Sequence, residues 1–224
     1  MKQYDRNKPL FAIHIPKTAG TSFREILKVW YGKKLLLHYR DAVSGSMPVR
    51  YPELRDGEGN GSSDLCIFGH FTNREGLGIE EYYPRAEQFL TLWRDPFEIA
   101  VSTYFFVHKV ASKWKHRPAM LDQSLAEYLR DARVNINAYL PFELDSGNYK
   151  EILGSRFIYV GLAERYEQSV SDIAGILGFD PPREISVLNS TSRHVDVPYE
   201  SKLEFMKRHE LEYEIYEWLM NRRI

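Results

Sequence analysis

"FAIHIPKTAGTSFREIL", residues Phe11 to Leu27, reads as an apolar strand, a loop of small residues with one lysine, and the opening turns of a helix. Proteins hold phosphate and sulfate with that order of elements. Small residues let the backbone fold around the anion, successive N–H groups converge on it, and the following helix adds its positive end. The lysine, Lys17, comes before Gly20, and Thr21 stands where a nucleotide-hydrolysing loop of pattern G-x-x-x-x-G-K-[ST] has its lysine. The stretch therefore predicts an anion cradle over Lys17, Thr18, Ala19, Gly20, Thr21 and Ser22 that is not a Walker loop. An ordinary strand–helix turn with an exposed lysine is the plain alternative.

Outward from this stretch, "KLLLHY" (Lys34–Tyr39), "LCIFGHF" (Leu65–Phe71), "QFLTLW" (Gln88–Trp93) and "RFIYVG" (Arg156–Gly161) are short apolar runs that predict further strands. Phe23, Ile26, Leu27 and Trp30 recur at helical spacing. A second helix opens at Asp95, which suits the N-cap. Pro96 suits the first helical position, Glu98 completes a capping box, and Val101, Tyr104 and Phe105 give the apolar stripe. Ser124 with Glu127 marks another helix start. Val170, Ile173, Ala174 and Leu177 mark the helix after the last strand, and Leu211, Ile215, Trp218 and Leu219 mark a C-terminal one. Strands alternating with helices predict an α/β fold, a parallel sheet flanked by helices on both faces. "DGEGNGSSD" (Asp56–Asp64) has no periodicity and reads as a loop. Without an internal repeat or linker, residues 1–224 are expected to form a single domain.

Composition narrows the function. The chain has 224 residues, 43% hydrophobic, enough for a sizeable core. Its 30 Lys+Arg against 31 Asp+Glu exclude any argument for nucleic acid or membrane from global charge, so anion selectivity must be local. The one cysteine, Cys66, leaves no disulfide framework; it is read as a buried apolar residue in a reducing compartment. No signal-peptide run precedes the first strand, and no window approaches the ~20 apolar residues of a membrane span. The expectation is a cytoplasmic protein.

A second anion-binding pattern lies in "RDPFEIAVS", Arg94 to Ser102. Arg94 sits just before a helix N-terminus. Ser102 lies seven residues past the Asp95 cap, ~10 Å along the axis at ~1.5 Å per residue. A guanidinium folded back along that face can share one anion with the hydroxyl, and its planar fork suits phosphate. The plain alternative pairs Arg94 with an acidic neighbour and leaves Ser102 at the solvent. Both patterns follow predicted strands, where ligands of open parallel sheets bind. Together they suit a nucleotide with phosphates at two separate positions.

These residues resemble a known family, the sulfotransferases that use 3′-phosphoadenosine 5′-phosphosulfate (PAPS). The resemblance is to the carbohydrate branch that includes heparan sulfate 2-O-sulfotransferases. "IHIPKTAGTSF" resembles the family's 5′-phosphosulfate loop. "WRDPFEIAVSTYFF" resembles its 3′-phosphate motif, with Arg94 and Ser102 at matching positions. "IFGHFT" resembles the segment with the catalytic histidine, matching His70, and "FIYVGLAERYEQSV" resembles a strand–helix pair. The resemblance spans roughly Phe11 to Val170. It implies a P-loop-NTPase-like fold and metal-free transfer of a sulfuryl group from PAPS to an acceptor hydroxyl, leaving adenosine 3′,5′-bisphosphate. "LNSTSRHVDVP" (Leu188–Pro198) resembles the late loop over the nucleotide, where Arg193 and Ser192 would touch a phosphate. This chain is shorter than animal Golgi enzymes of that branch and lacks their N-terminal anchor, which tells against a large polysaccharide and leaves a carbohydrate or another small polar acceptor as the expectation.

The chemistry asks for the same parts. Sulfuryl transfer needs in-line placement and stabilisation of charge on the leaving oxygen, a task for Lys17 and the loop N–H groups. A hydroxyl also needs a general base, and histidine serves near neutral pH. His70, at a strand end behind Gly69, a glycine that would let an acceptor approach, is the first choice and His108 the second. Glu75 and Glu80 are more remote. His14 is read as pointing into the sheet. "HKVASKWKHR" (His108–Arg117) reads as either a sugar-binding patch at Trp114 or a solvated helix end. Two other functions stay open. One is a P-loop kinase with Mg²⁺ held by an acidic residue such as Asp95. The other is a nucleotide-binding module without transfer.

Overall fold

Each apolar run of the sequence becomes a strand: β1 (Leu10–Ile13), β2 (Leu35–His38), β3 (Cys66–Gly69), β4 (Gln88–Trp93) and β5 (Phe157–Leu162). They make one five-stranded sheet in the order β2-β3-β1-β4-β5, parallel at every pairing. This is a computed structural model, and it describes residues 1–41, 44–51, 54, 64–72, 76–113, 118–182, 184 and 199–222. In chain order its helices are α1 (Gly20–Tyr31), α2 (Ile79–Tyr82), α3 (Pro96–Val110), α4 (Leu125–Asp131), α5 (Tyr149–Arg156), α6 (Tyr166–Leu177), α7 (Tyr199–Arg208) and α8 (Glu210–Asn221). The architecture is the expected α/β arrangement, a parallel sheet flanked by helices.

The chain forms two compact units. One holds Met1–Trp93 and Ile136–Leu188, the other Arg94–Asn135 and Asn189–Ile224. In the first unit β1 is the central strand, buried at all four residues. A strand covered on both faces needs no polar alternation, which is why "LFAI" is apolar throughout. Leu10, Ala12, Cys66, Phe68, Leu90 and Leu92 pack in one core with Phe23 and Leu27 of α1 and Val170, Ile173 and Leu177 of α6. Cys66 is a free, buried thiol in that core, as read. Alternation turns Phe11 to the opposite face. There its ring meets Phe71 at 6.3 Å, Tyr83 at 5.1 Å and Phe89 at 6.1 Å, and an aromatic layer continues to Phe142.

The second unit is helical. Its core joins Phe97, Ala100 and Val101 of α3 to Leu125 and Leu129 of α4, Phe205 of α7 and Tyr213 of α8. The Ser124–Glu127 capping box forms in full: the Ser124 hydroxyl accepts from the Glu127 N–H, and the Glu127 carboxylate accepts from the Ser124 N–H. The box expected at Asp95 does not. Asp95 caps α3 by accepting from the Phe97 N–H at 2.9 Å, and Pro96 opens the helix, but Glu98 makes an ion pair with Arg94 instead of reaching back. Among the described residues, no helix is long and apolar enough to cross a membrane. Most of the Asp56–Asp64 loop, Glu75, Trp114 with the end of the basic stretch, and Ser192 and Arg193 lie outside the described residues.

Candidate active site

The loop between β1 and α1 is the stretch read from the sequence as an anion cradle. Lys17 and Ala19 both adopt left-handed conformations, with φ of 68° and 66°. Each costs about 1–2 kcal/mol for a residue with a Cβ, so the turn must be held by its surroundings. Thr18 supplies one hold: its buried hydroxyl donates to the Ile15 carbonyl at 2.8 Å. That hydroxyl proton is thereby committed, and what Thr18 offers a ligand is its backbone N–H. Alternation of left- and right-handed residues aims successive N–H groups into one concavity. Ala19 is the N-cap of α1 and makes no side-chain cap, and the first turn carries no acidic residue. The positive end of this twelve-residue helix therefore carries no carboxylate in its own first turn. Thr21 is exposed and Ser22 buried on that first turn.

Strand register brings His70 to the same place. Ile13 pairs with Gly69, so the next residues, His14 and His70, leave β1 and β3 side by side. Two hydrogen bonds extend the ladders past the strand ends: His14 N–H to the Gly69 carbonyl at 2.8 Å, and His70 N–H to the His38 carbonyl at 3.0 Å. The two imidazoles stack with centroids 4.4 Å apart and planes at 21°. The His70 Nδ1 lies 2.6 Å from the His14 carbonyl oxygen. A carbonyl only accepts, so Nδ1 carries the hydrogen and Nε2 is the basic nitrogen of the neutral ring. Tyr39 and Tyr139 present their rings to His70 at 4.9 and 6.0 Å.

Two sequence readings change here. His14 does not point into the sheet. Its ring lies between Phe68 and His70, on the face shared with α1, and its Nδ1 is 2.7 Å from the Tyr39 hydroxyl. Burial, reinforced by His70, Arg24 and Lys17, pushes its pKa well below the usual histidine range. Nor does Gly69 simply open a path for an acceptor. A side chain there would overlap the His38 carbonyl, the group that receives the His70 N–H. His38 itself is buried, with Nε2 on the Leu77 carbonyl at 3.1 Å, and desolvation lowers its pKa to about 4. The sequence reading gave no part to His14, Tyr39 or His38. For His14 the signal was the alternation that puts Leu10, Ala12 and His14 on one face of a strand.

Arg94 and Ser102 belong to the second unit. Arg94 pairs with Glu98 at 3.3 Å, both side chains about one quarter exposed. The plain reading expected an acidic neighbour for Arg94, and Glu98 is one, but Ser102 is buried rather than at the solvent. Asp95 accepts from the Phe97 N–H and the Tyr213 hydroxyl on one oxygen and from Lys202 on the other. The carboxylate considered as a metal holder thus caps α3 and ties it to α7 and α8. His108 is exposed on α3 with its ring 4.3 Å from Tyr104, and Glu80 is exposed on α2.

No family model matches the chain, and no curated protein matches it. Among solved structures it is similar to a sulfotransferase from Alicyclobacillus acidocaldarius, at 15% identity and a TM-score of 0.51, over 97% of each chain. It is also similar to mouse sulfotransferase SULT7A1, solved in complex with PAP, at 12% identity and a TM-score of 0.41, over 92% of this chain and 64% of that one. The bacterial likeness shows that the two chains share a fold; the mouse likeness is too distant to add to it.

Proposed function

We propose that residues 1–224 act as one sulfotransferase domain that moves a sulfuryl group from PAPS to an acceptor hydroxyl, of a carbohydrate or another small polar molecule. The observation that carries this reading is the pairing of an anion loop with a histidine: left-handed Lys17 and Ala19 at the uncapped start of α1, and His70 leaving the adjacent strand. The loop fits a phosphosulfate because it offers N–H donors and Lys17 with no carboxylate in the helix's first turn. Backbone N–H groups of Thr18 to Ser22 would hold the 5′ end. Arg94, Ser102 and Arg193 would hold the 3′-phosphate. When bound, PAPS supplies an activated sulfuryl group.

In the step itself the acceptor oxygen bonds to sulfur as the bridging S–O bond breaks. His70 takes the hydroxyl proton at Nε2, and Lys17 neutralises the charge growing on the departing oxygen. The His14 carbonyl receives the His70 Nδ1–H throughout, which favours the imidazolium formed in the step. The product left with the enzyme is adenosine 3′,5′-bisphosphate. The one buried cysteine supports a reducing compartment such as the cytoplasm.

Calorimetric titration with adenosine 3′,5′-bisphosphate tests the nucleotide. Binding at least tenfold tighter than AMP is expected, about 1.4 kcal/mol; equal binding of the two would sink the two-phosphate reading. A mass-spectrometric acceptor screen with PAPS, seeking the gain of one sulfuryl group, tests transfer. Turnover of ATP that requires Mg²⁺ would replace this proposal with a kinase.

A further inference from the structure

A general base must present one chosen nitrogen at a fixed angle, and the side chain that fixes it need not touch the substrate. Around His70 the fixing parts come from separate segments of the first unit. The His14 ring lies flat against it at 4.4 Å, and Phe68 backs His14 on the far side at 5.2 Å and 13°. The Tyr39 hydroxyl holds His14 Nδ1 at 2.7 Å, while the Tyr39 ring stands edge-on to His70 at 87°. Gly20 closes the arrangement from the anion loop: a Cβ there would overlap the His14 ring. One imidazole thus touches both the proposed sulfuryl-binding loop and the proposed base.

We propose that His14, anchored by Tyr39 and seated against Gly20, is the positioning residue that holds His70 with Nε2 as its proton-accepting nitrogen. The inference rests on the sulfotransferase reading for its consequence in turnover, but not for its geometry. His14 suits the task because it stays uncharged beside a partner that becomes a cation. Burial and the neighbouring cations Lys17 and Arg24 disfavour its protonation, and so does His70 itself. Among the described residues, the other titratable groups around the pair are Tyr39, His38 and Tyr139. Burial raises the pKa of Tyr39 and lowers that of His38, so both of these remain neutral near pH 7. A second cation 4.4 Å from His70 would oppose its taking up a proton, and that is avoided.

The test uses the full chain with His14→Phe, which keeps a ring but loses the Tyr39 bond, and Tyr39→Phe, which removes only the hydroxyl. Nitrogen-15 NMR of the imidazoles, without cofactor, is expected to report the Nδ1–H tautomer of His70 in the parent and a mixture in either variant. With PAPS and an acceptor, kcat should fall about tenfold in Tyr39→Phe. The acid limb of its pH profile should move, and affinity for adenosine 3′,5′-bisphosphate should stay within about twofold. A parent His70 in the Nε2–H tautomer overturns the proposal. So does a Tyr39→Phe chain with unchanged tautomer and unchanged kcat. If the tautomer responds as expected but no acceptor is sulfated, the positioning stands and the transfer reading falls.

Discussion

At the residue scale, Lys17 and Gly20 do opposite things in one loop. Lys17 takes a strained, left-handed backbone in the proposed anion loop, while Gly20 gives up its side chain so that the His14 ring can fit. Lys17→Ala is expected to lower the rate of sulfuryl transfer about 10²–10³-fold, the size of a lost oxyanion donor. Affinity for the bisphosphate product should change little, and single-turnover kinetics beside calorimetry separates the two. Gly20→Ala should destabilise the chain by about 1–3 kcal/mol, because its Cβ must displace a ring in a packed layer. Urea unfolding measures that, and a stability equal to the parent would show that the His14 ring moves aside freely. The lysine and glycine stood out in the sequence as candidates for an anion loop. The neighbour that demands the glycine did not, because contact between Gly20 and His14 depends on how the loop turns back.

At the scale of elements, α3 depends on one carboxylate. Asp95 caps its N-terminus and receives the hydroxyl of Tyr213 from α8 and the ammonium of Lys202 from α7. Asp95→Ala removes a cap and leaves a buried hydroxyl without its acceptor, an expected loss of about 2–3 kcal/mol. Tyr213→Phe should cost about 1 kcal/mol. Chemical denaturation compares them, and equal losses would mean the cap itself contributes nothing. Local rules found the start of α3 and the complete capping box of α4, since both depend on residues three or fewer positions apart. The same rules misplaced Glu98, which had two partners within reach and took Arg94. They also passed over α7, where Phe205 alone is buried and so little apolar periodicity exists to read. The tie from Tyr213 to Asp95 spans more than half the chain and leaves no mark in any short window.

At the scale of the whole molecule, three histidines are kept neutral in different places. His14 and His38 lie in the sheet unit. His209 lies in the helical one, where it accepts from the Val134 N–H and donates to the Phe205 carbonyl. Desolvation is the first cause of the lowered pKa in each. Below the ordinary histidine value of 6.5 the unfolded chain binds protons that the native chain refuses. Stability is therefore whole above that pH and declines as pH falls, down to about 4 for His38. Melting temperature should drop steadily between about pH 7 and 4.5; a flat profile would mean these rings are not held neutral. The sheet and its order were legible because buried parallel strands are continuous apolar runs. The division into two units was not, since each is assembled from two distant stretches. That division also has a consequence for synthesis on the ribosome. β4 is complete before any of the helical unit emerges, yet its outer neighbour β5 is made only after Arg94–Asn135 has passed. The nascent sheet therefore waits with an open edge while an unfinished helical segment hangs from it, an interval in which a chaperone has the most to cover.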